Sequence, residues 1–82
     1  MTIPEEKCKE VYTLNTWYES NLTEASEWLE AGYWVHFGSS CIGHTLAHIV
    51  ENEGIRKMRE KYGDRLEVEQ RDGWGWYYCH LK

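Results

Sequence analysis

The sequence predicts a small α+β domain in which two helices pack on one face of a mainly antiparallel sheet. Strand-like and helical patterns alternate along the chain, an Asp-Gly pair near the C-terminus separates two strand-like segments, and 82 residues suffice for one core. The predicted order is β-α-β-α-β-β, and residues 1–82 form a single domain. We expect residues 1–7 to be loosely ordered, because this short lead is polar and holds the only proline.

The first half of the chain shows a strand, a helix and a second strand. Adjacent β-forming residues predict the first strand over 9–17. Apolar residues at helical spacing predict a helix over 23–31, and Gly32 follows as its stop. Bulky side chains alternate on both faces over 33–37, which predicts the second strand.

The second helix is predicted to begin near Cys41 or Ile42 and to end at Gly63. Four apolar residues recur at helical spacing and are expected to form its buried face: Ile42, Leu46, Ile49 and Val50. The pattern drifts across Gly54, so we expect either a kink at this residue or two short helices.

The C-terminal segment predicts a β-hairpin. The Asp72–Gly73 pair favours a tight two-residue turn between strands over 65–71 and 74–81. This turn sets the register and separates apolar pairs on one face from charged and aromatic pairs on the other. The pairs on the apolar face are Leu66 with Cys79 and Val68 with Tyr77.

Net charge, cysteine count and hydropathy limit the classes of protein to which the chain can belong. The formal net charge of −5, from 14 acidic and 9 basic residues, disfavours direct binding to nucleic-acid phosphates and favours a basic protein surface as partner. Three cysteines at irregular spacing do not form a disulfide framework, and no apolar run is long enough to cross a membrane. We therefore expect a soluble protein of the reducing cytoplasm.

The second face of the hairpin is interpreted as a partner-binding surface, because aromatic residues and arginine are enriched at the centres of interfaces. Its members are Trp74, Trp76, Tyr78, Glu67, Glu69 and Arg71. The alternative is that a helix or the N-terminal segment covers this face as a second core layer.

No convincing catalytic set accompanies this surface. The leading hypothesis is therefore a non-enzymatic protein–protein interaction module, an inhibitor or adaptor that binds a basic protein surface or a second copy of the chain. In size and composition the chain resembles small inhibitors encoded by phages and mobile elements, such as anti-CRISPR proteins.

A second hypothesis is a zinc-binding or metal-stabilised domain. His44, His48 and Glu51 lie within about 60° of one another on a helix, and an i, i+4 histidine pair is a known zinc-binding geometry. Cys41 or His36 would supply a further ligand. The alternative is a solvated helix face that holds two histidines, and we expect no resident cofactor.

A third hypothesis is a small cysteine-dependent or acyl-transfer enzyme around Cys41, because a thiol at a helix start has its thiolate favoured. The run Cys41–Gly43 followed by Leu46 resembles the acyl-CoA-binding turn of GNAT acetyltransferases, with cysteine in place of that family's first glycine. The resemblance implies an acyl-transfer activity. The alternative is an ordinary turn between strand and helix, built from glycine and serine.

Overall fold

The computed structural model of the chain describes residues 3–14, 16–39, 44–70 and 76–82. The helices and strands are β1 (Cys8–Thr13), α1 (Glu19–Glu30), β2 (Trp34–Ser39), α2 (His44–Tyr62), β3 (Leu66–Gln70) and β4 (Tyr77–Leu81). Short 3₁₀ turns at Glu5–Lys7 and Gly63–Arg65 precede β1 and β3. The α+β class and the order β-α-β-α-β-β are thereby confirmed.

The four strands form one sheet in the order β1-β2-β4-β3. β1 and β2 are parallel, whereas β4 is antiparallel to both β2 and β3. The sheet is therefore mixed, and the prediction of a mainly antiparallel sheet is wrong. The reason is that α1 carries the chain back along the sheet, so β2 runs in the same direction as β1.

The hairpin pairs in a different register from the predicted one. Leu66 lies opposite Leu81 and Val68 lies opposite Cys79. The pairing is displaced by two residues, so each side chain keeps its predicted face. The observed register also places buried Leu81 against buried Leu66. The predicted Asp72–Gly73 turn lies outside the described residues.

Both helices pack on one face of the sheet around a single core. Its fully buried side chains come from β1, β2, α1, α2 and β4: Val11, Val35, Phe37, Leu29, Met58 and Cys79. The opposite face carries a smaller cluster in which Ile3, near the N-terminus, packs on Trp34 and Tyr78.

α2 is one continuous helix of 19 residues, so the predicted alternative of two short helices is wrong. A side chain at this position would meet Phe37, because a Cβ added to Gly54 lies 2.7 Å from the Phe37 ring. Gly54 therefore allows the helix to lie directly on the sheet. The predicted buried face is also wrong in part, because Leu46 is 53% and Ile49 is 59% exposed.

Two glycines end the helices as predicted. Gly32 has φ +91° after α1, and Gly63 has φ +57° after α2. Both values lie in the left-handed region that glycine adopts without a steric penalty. The amide of Gly32 also donates to the carbonyl of Leu29.

Candidate functional site

A carboxylate lies inside the core face of α2. Glu51 is fully buried, and its Oε2 accepts a hydrogen bond of 2.8 Å from the backbone amide of Tyr77 at the start of β4. His48 Nδ1 lies 3.3 Å from Oε1, and His36 Nδ1 lies 3.4 Å from Oε2. Because two imidazoles and one amide converge on it, Glu51 links α2 to both β2 and β4.

The contacts of this cluster favour one tautomer of each histidine. His36 Nδ1 faces the carbonyl of Tyr77 at 3.3 Å as well as the Glu51 carboxylate. Both neighbours are acceptors, so the Nδ1–H tautomer satisfies this geometry. The same argument applies to His48, whose Nδ1 faces the carboxylate. The ionised carboxylate thus has three potential N–H donors.

Burial changes the acid–base behaviour of this cluster. It raises the pKa of the Glu51 carboxyl above its ordinary value, and the hydrogen bonds from Tyr77 and His48 oppose that rise. Burial also lowers the pKa of His36, although the nearby Glu10 carboxylate acts in the other direction. A neutral His36 beside Glu51 is therefore favoured at neutral pH.

Aromatic rings close the cluster from the side of β4. Trp76 stacks on His48 with ring centroids 4.3 Å apart, and the Tyr78 ring centroid lies 5.4 Å from that of His36. The enclosed Glu51 carboxylate thus fixes β4 against α2.

The proposed metal ligands are only partly brought together. His48 and Glu51 are adjacent, and His36 joins them from β2. The side chain of His44 and all of Cys41 lie outside the described residues. Within the part of the chain that the structure describes, no three His, Cys, Asp or Glu side chains are arranged to hold a metal ion.

Part of the predicted hairpin face is covered within the fold. Tyr78 is only 5% exposed, because the N-terminal segment covers it through Ile3, so its expected surface position is wrong. Trp76, Glu67 and Glu69 are half-buried, and Glu67 Oε1 lies 3.5 Å from His80 Nδ1. The remaining two members, Arg71 and Trp74, lie outside the described residues.

Exposed apolar side chains occur elsewhere, around the contact between Trp17 and Val50. Trp17 Nε1 donates a hydrogen bond of 2.8 Å to the Val50 carbonyl, which joins the β1–α1 loop to α2. Four large apolar residues within four positions of Trp17 or Val50 are each more than half exposed: Leu14, Tyr18, Leu46 and Ile49. We call these four residues the Trp17 patch. Sequence reasoning missed it because Leu46 and Ile49 fit a helical core pattern.

The outward side of α1 is acidic. The helix contains no Lys or Arg, and its four glutamates are exposed: Glu19, Glu24, Glu27 and Glu30. Trp28 Nε1 donates to Glu24, and the Tyr62 hydroxyl donates to Glu30. Among residues 3–14, 16–39, 44–70 and 76–82, no basic side chain forms an ion pair with these four carboxylates.

Comparisons with protein-family models, with curated proteins and with solved structures found no match. No helix in the described residues has the length and apolar character needed to cross a bilayer.

Proposed function

We propose that the protein is a non-enzymatic interaction module, an inhibitor or adaptor that binds a partner protein with a basic surface. This proposal rests on the uneven distribution of acidic and basic residues along the chain. Residues 1–40 hold seven acidic and two basic residues, a difference of −5 that equals the formal net charge of the whole chain. No Lys or Arg occurs between Lys9 and Arg56.

Part of this excess of acidic residues lies on the exposed side of α1. Its four glutamates are exposed and none forms an ion pair within the described residues, so their field extends into solvent. Such a surface accelerates encounter with a basic protein and repels nucleic-acid phosphates and acidic membranes. A basic protein partner is therefore the best complement.

Among the described residues the chemically unusual groups are enclosed, which favours binding over catalysis; Cys41 lies outside these residues. Glu51 has no exposed surface, and burial raises the pKa of the Cys79 thiol to about 12. A thiol with that pKa is almost entirely protonated at neutral pH and is a poor nucleophile. These groups are consistent with a role in holding the fold that presents the acidic surface.

Affinity capture from a lysate of the native host tests the proposal. The tagged protein is compared with a Glu24→Lys/Glu27→Lys variant and with a Glu60→Lys/Asp64→Lys control, which changes the net charge equally at exposed positions outside α1. We expect quantitative mass spectrometry to find a basic protein retained by the parent and the control but lost from the α1 variant. Equal loss from both variants, or no specific partner of the parent, would contradict the proposal. Circular dichroism checks that each variant is folded.

A further inference from the structure

We propose that the Trp17 patch is the docking site for an apolar segment of the partner that is flanked by Lys or Arg. This inference rests on the proposed function and names the surface that contacts the partner's apolar residues. The four side chains of the patch are between 53% and 61% exposed. Their summed exposed surface is on the order of 400 Å², a size that commonly marks a contact site on a monomer, and the hydrogen bond between Trp17 and Val50 joins the two segments that carry them.

The patch has a rigid support. Trp17 is 7% exposed and Val50 is 7% exposed, so both belong to the core although their neighbours do not. The Trp17 ring also packs edge-on against Phe37, with ring centroids 5.2 Å apart. Tyr18 and Ile49 thus each adjoin a buried residue, which lowers the entropy cost of binding through them.

The acidic residues near the patch favour a partner segment with basic residues. Both of its segments lie within the stretch that lacks Lys and Arg, and Glu19 directly follows Tyr18 at the start of α1. An apolar segment with basic flanks would place its apolar side chains on the patch and its charges over the carboxylates of α1. Such complementarity favours this partner over others.

A second copy of the chain fits less well. Two copies meeting through this patch would bring two acidic α1 helices close together, and each copy carries a formal charge of −5. The patch is also smaller than the roughly 800 Å² that each partner buries in a standard stable interface. A basic partner segment avoids this repulsion between like charges. It also enlarges the contact area, because its basic flanks extend over α1.

An NMR titration with two synthetic peptides tests this site. One probe alternates leucine with lysine, and its control replaces every leucine with serine at the same charge. We expect the Leu/Lys peptide to shift the backbone amide signals of residues 16–18 and 46–50 of the ¹⁵N-labelled protein. The Ser/Lys peptide should bind more weakly and shift mainly α1 signals. Leu46→Ser and Ile49→Ser should each weaken the Leu/Lys peptide about tenfold, whereas Tyr12→Ser, an exposed residue outside the patch, should not.

The outcomes separate the two proposals. If both peptides shift only α1 signals with equal affinity, the docking site is refuted and the acidic surface stands. If neither peptide shifts any signal, both proposals fail. If the patch signals change with protein concentration alone, the patch is a self-association surface and the docking inference is overturned. The substituted side chains are exposed, so circular dichroism should show that all three variants remain folded.

Discussion

Replacing Glu51 by glutamine removes a buried charge and preserves the shape of the side chain. Ionised Glu51 is disfavoured in the folded state because burial raises the pKa of its carboxyl. A raised folded pKa means that the parent's stability from this group is complete below the unfolded pKa of about 4.5 and is lost as pH rises through the folded value. Glutamine does not titrate, so the free energy of unfolding of the variant, minus that of the parent, should increase with pH.

The contacts of Glu51 determine the part of the change in unfolding free energy that does not depend on pH. Glutamine has one acceptor oxygen, whereas Glu51 faces N–H groups of Tyr77, His48 and His36. The hydroxyl of protonated Glu51 leaves one acceptor oxygen as well, so any mismatch between the amide and these donors is an offset of at most about 1–3 kcal/mol that is the same at every pH. The pH-dependent part is separate from this offset and amounts to about 1.4 kcal/mol for each unit by which the pKa is raised. Its sign, rather than the stability at one pH, is the test.

Urea unfolding monitored by tryptophan fluorescence between about pH 4.5 and about pH 7.5 measures this difference. Glu53→Gln is the matched control on the same helix, because a hydrogen bond from Arg56 lowers the pKa of the Glu53 carboxyl. The contribution of Glu53 is therefore lost only as pH falls below its ordinary pKa of about 4.5, so the control difference should stay nearly flat over this range. If the Glu51→Gln difference is flat, or follows the control, then Glu51 is not a desolvated carboxylate.

Three further predictions concern packing, thiol reactivity and metal. Gly54→Ala should destabilise the protein by about 1–2 kcal/mol in urea unfolding, because overpacking against Phe37 outweighs the gain in helix propensity; stabilisation would refute the close contact. Cys79, whose pKa burial raises to about 12, should react with iodoacetamide in the folded protein far more slowly than half-buried Cys8, and equal rates by peptide mass spectrometry would contradict its burial. Chelator treatment should leave the melting temperature unchanged, whereas about one zinc per chain in elemental analysis would support the metal hypothesis.

Local patterns predicted most of the secondary structure. The stop of α1 at Gly32 followed from glycine's access to positive φ, and the faces of the hairpin followed from the two-residue period of a strand. The parallel pairing of β1 with β2 was missed because it depends on where α1 returns the chain. The register was missed because an Asp-Gly pair favours one turn but does not fix the pairing, and Leu66 packs with Leu81.

The buried side of α2 shows why the candidate site could not be predicted. The stripe that faces the core includes Ala47, Val50, Glu51 and Met58, and it is rotated by roughly a third of a turn from the predicted apolar face. A glutamate was assumed to face solvent, which is the usual outcome for an ionisable residue. Here donors from β2 and β4 compensate its burial, and neither strand's position relative to α2 follows from local sequence.

The association rate of the partner recovered by affinity capture tests whether the acidic side of α1 recruits a basic protein. Surface plasmon resonance would compare the parent, Glu24→Lys/Glu27→Lys and the charge-matched Glu60→Lys/Asp64→Lys control at low and high salt. We expect the α1 variant to associate at least about tenfold more slowly at low salt and to lose most of its salt dependence, while the control stays close to the parent. Equal rates and equal salt dependence for all three proteins would contradict recruitment by the acidic side of α1.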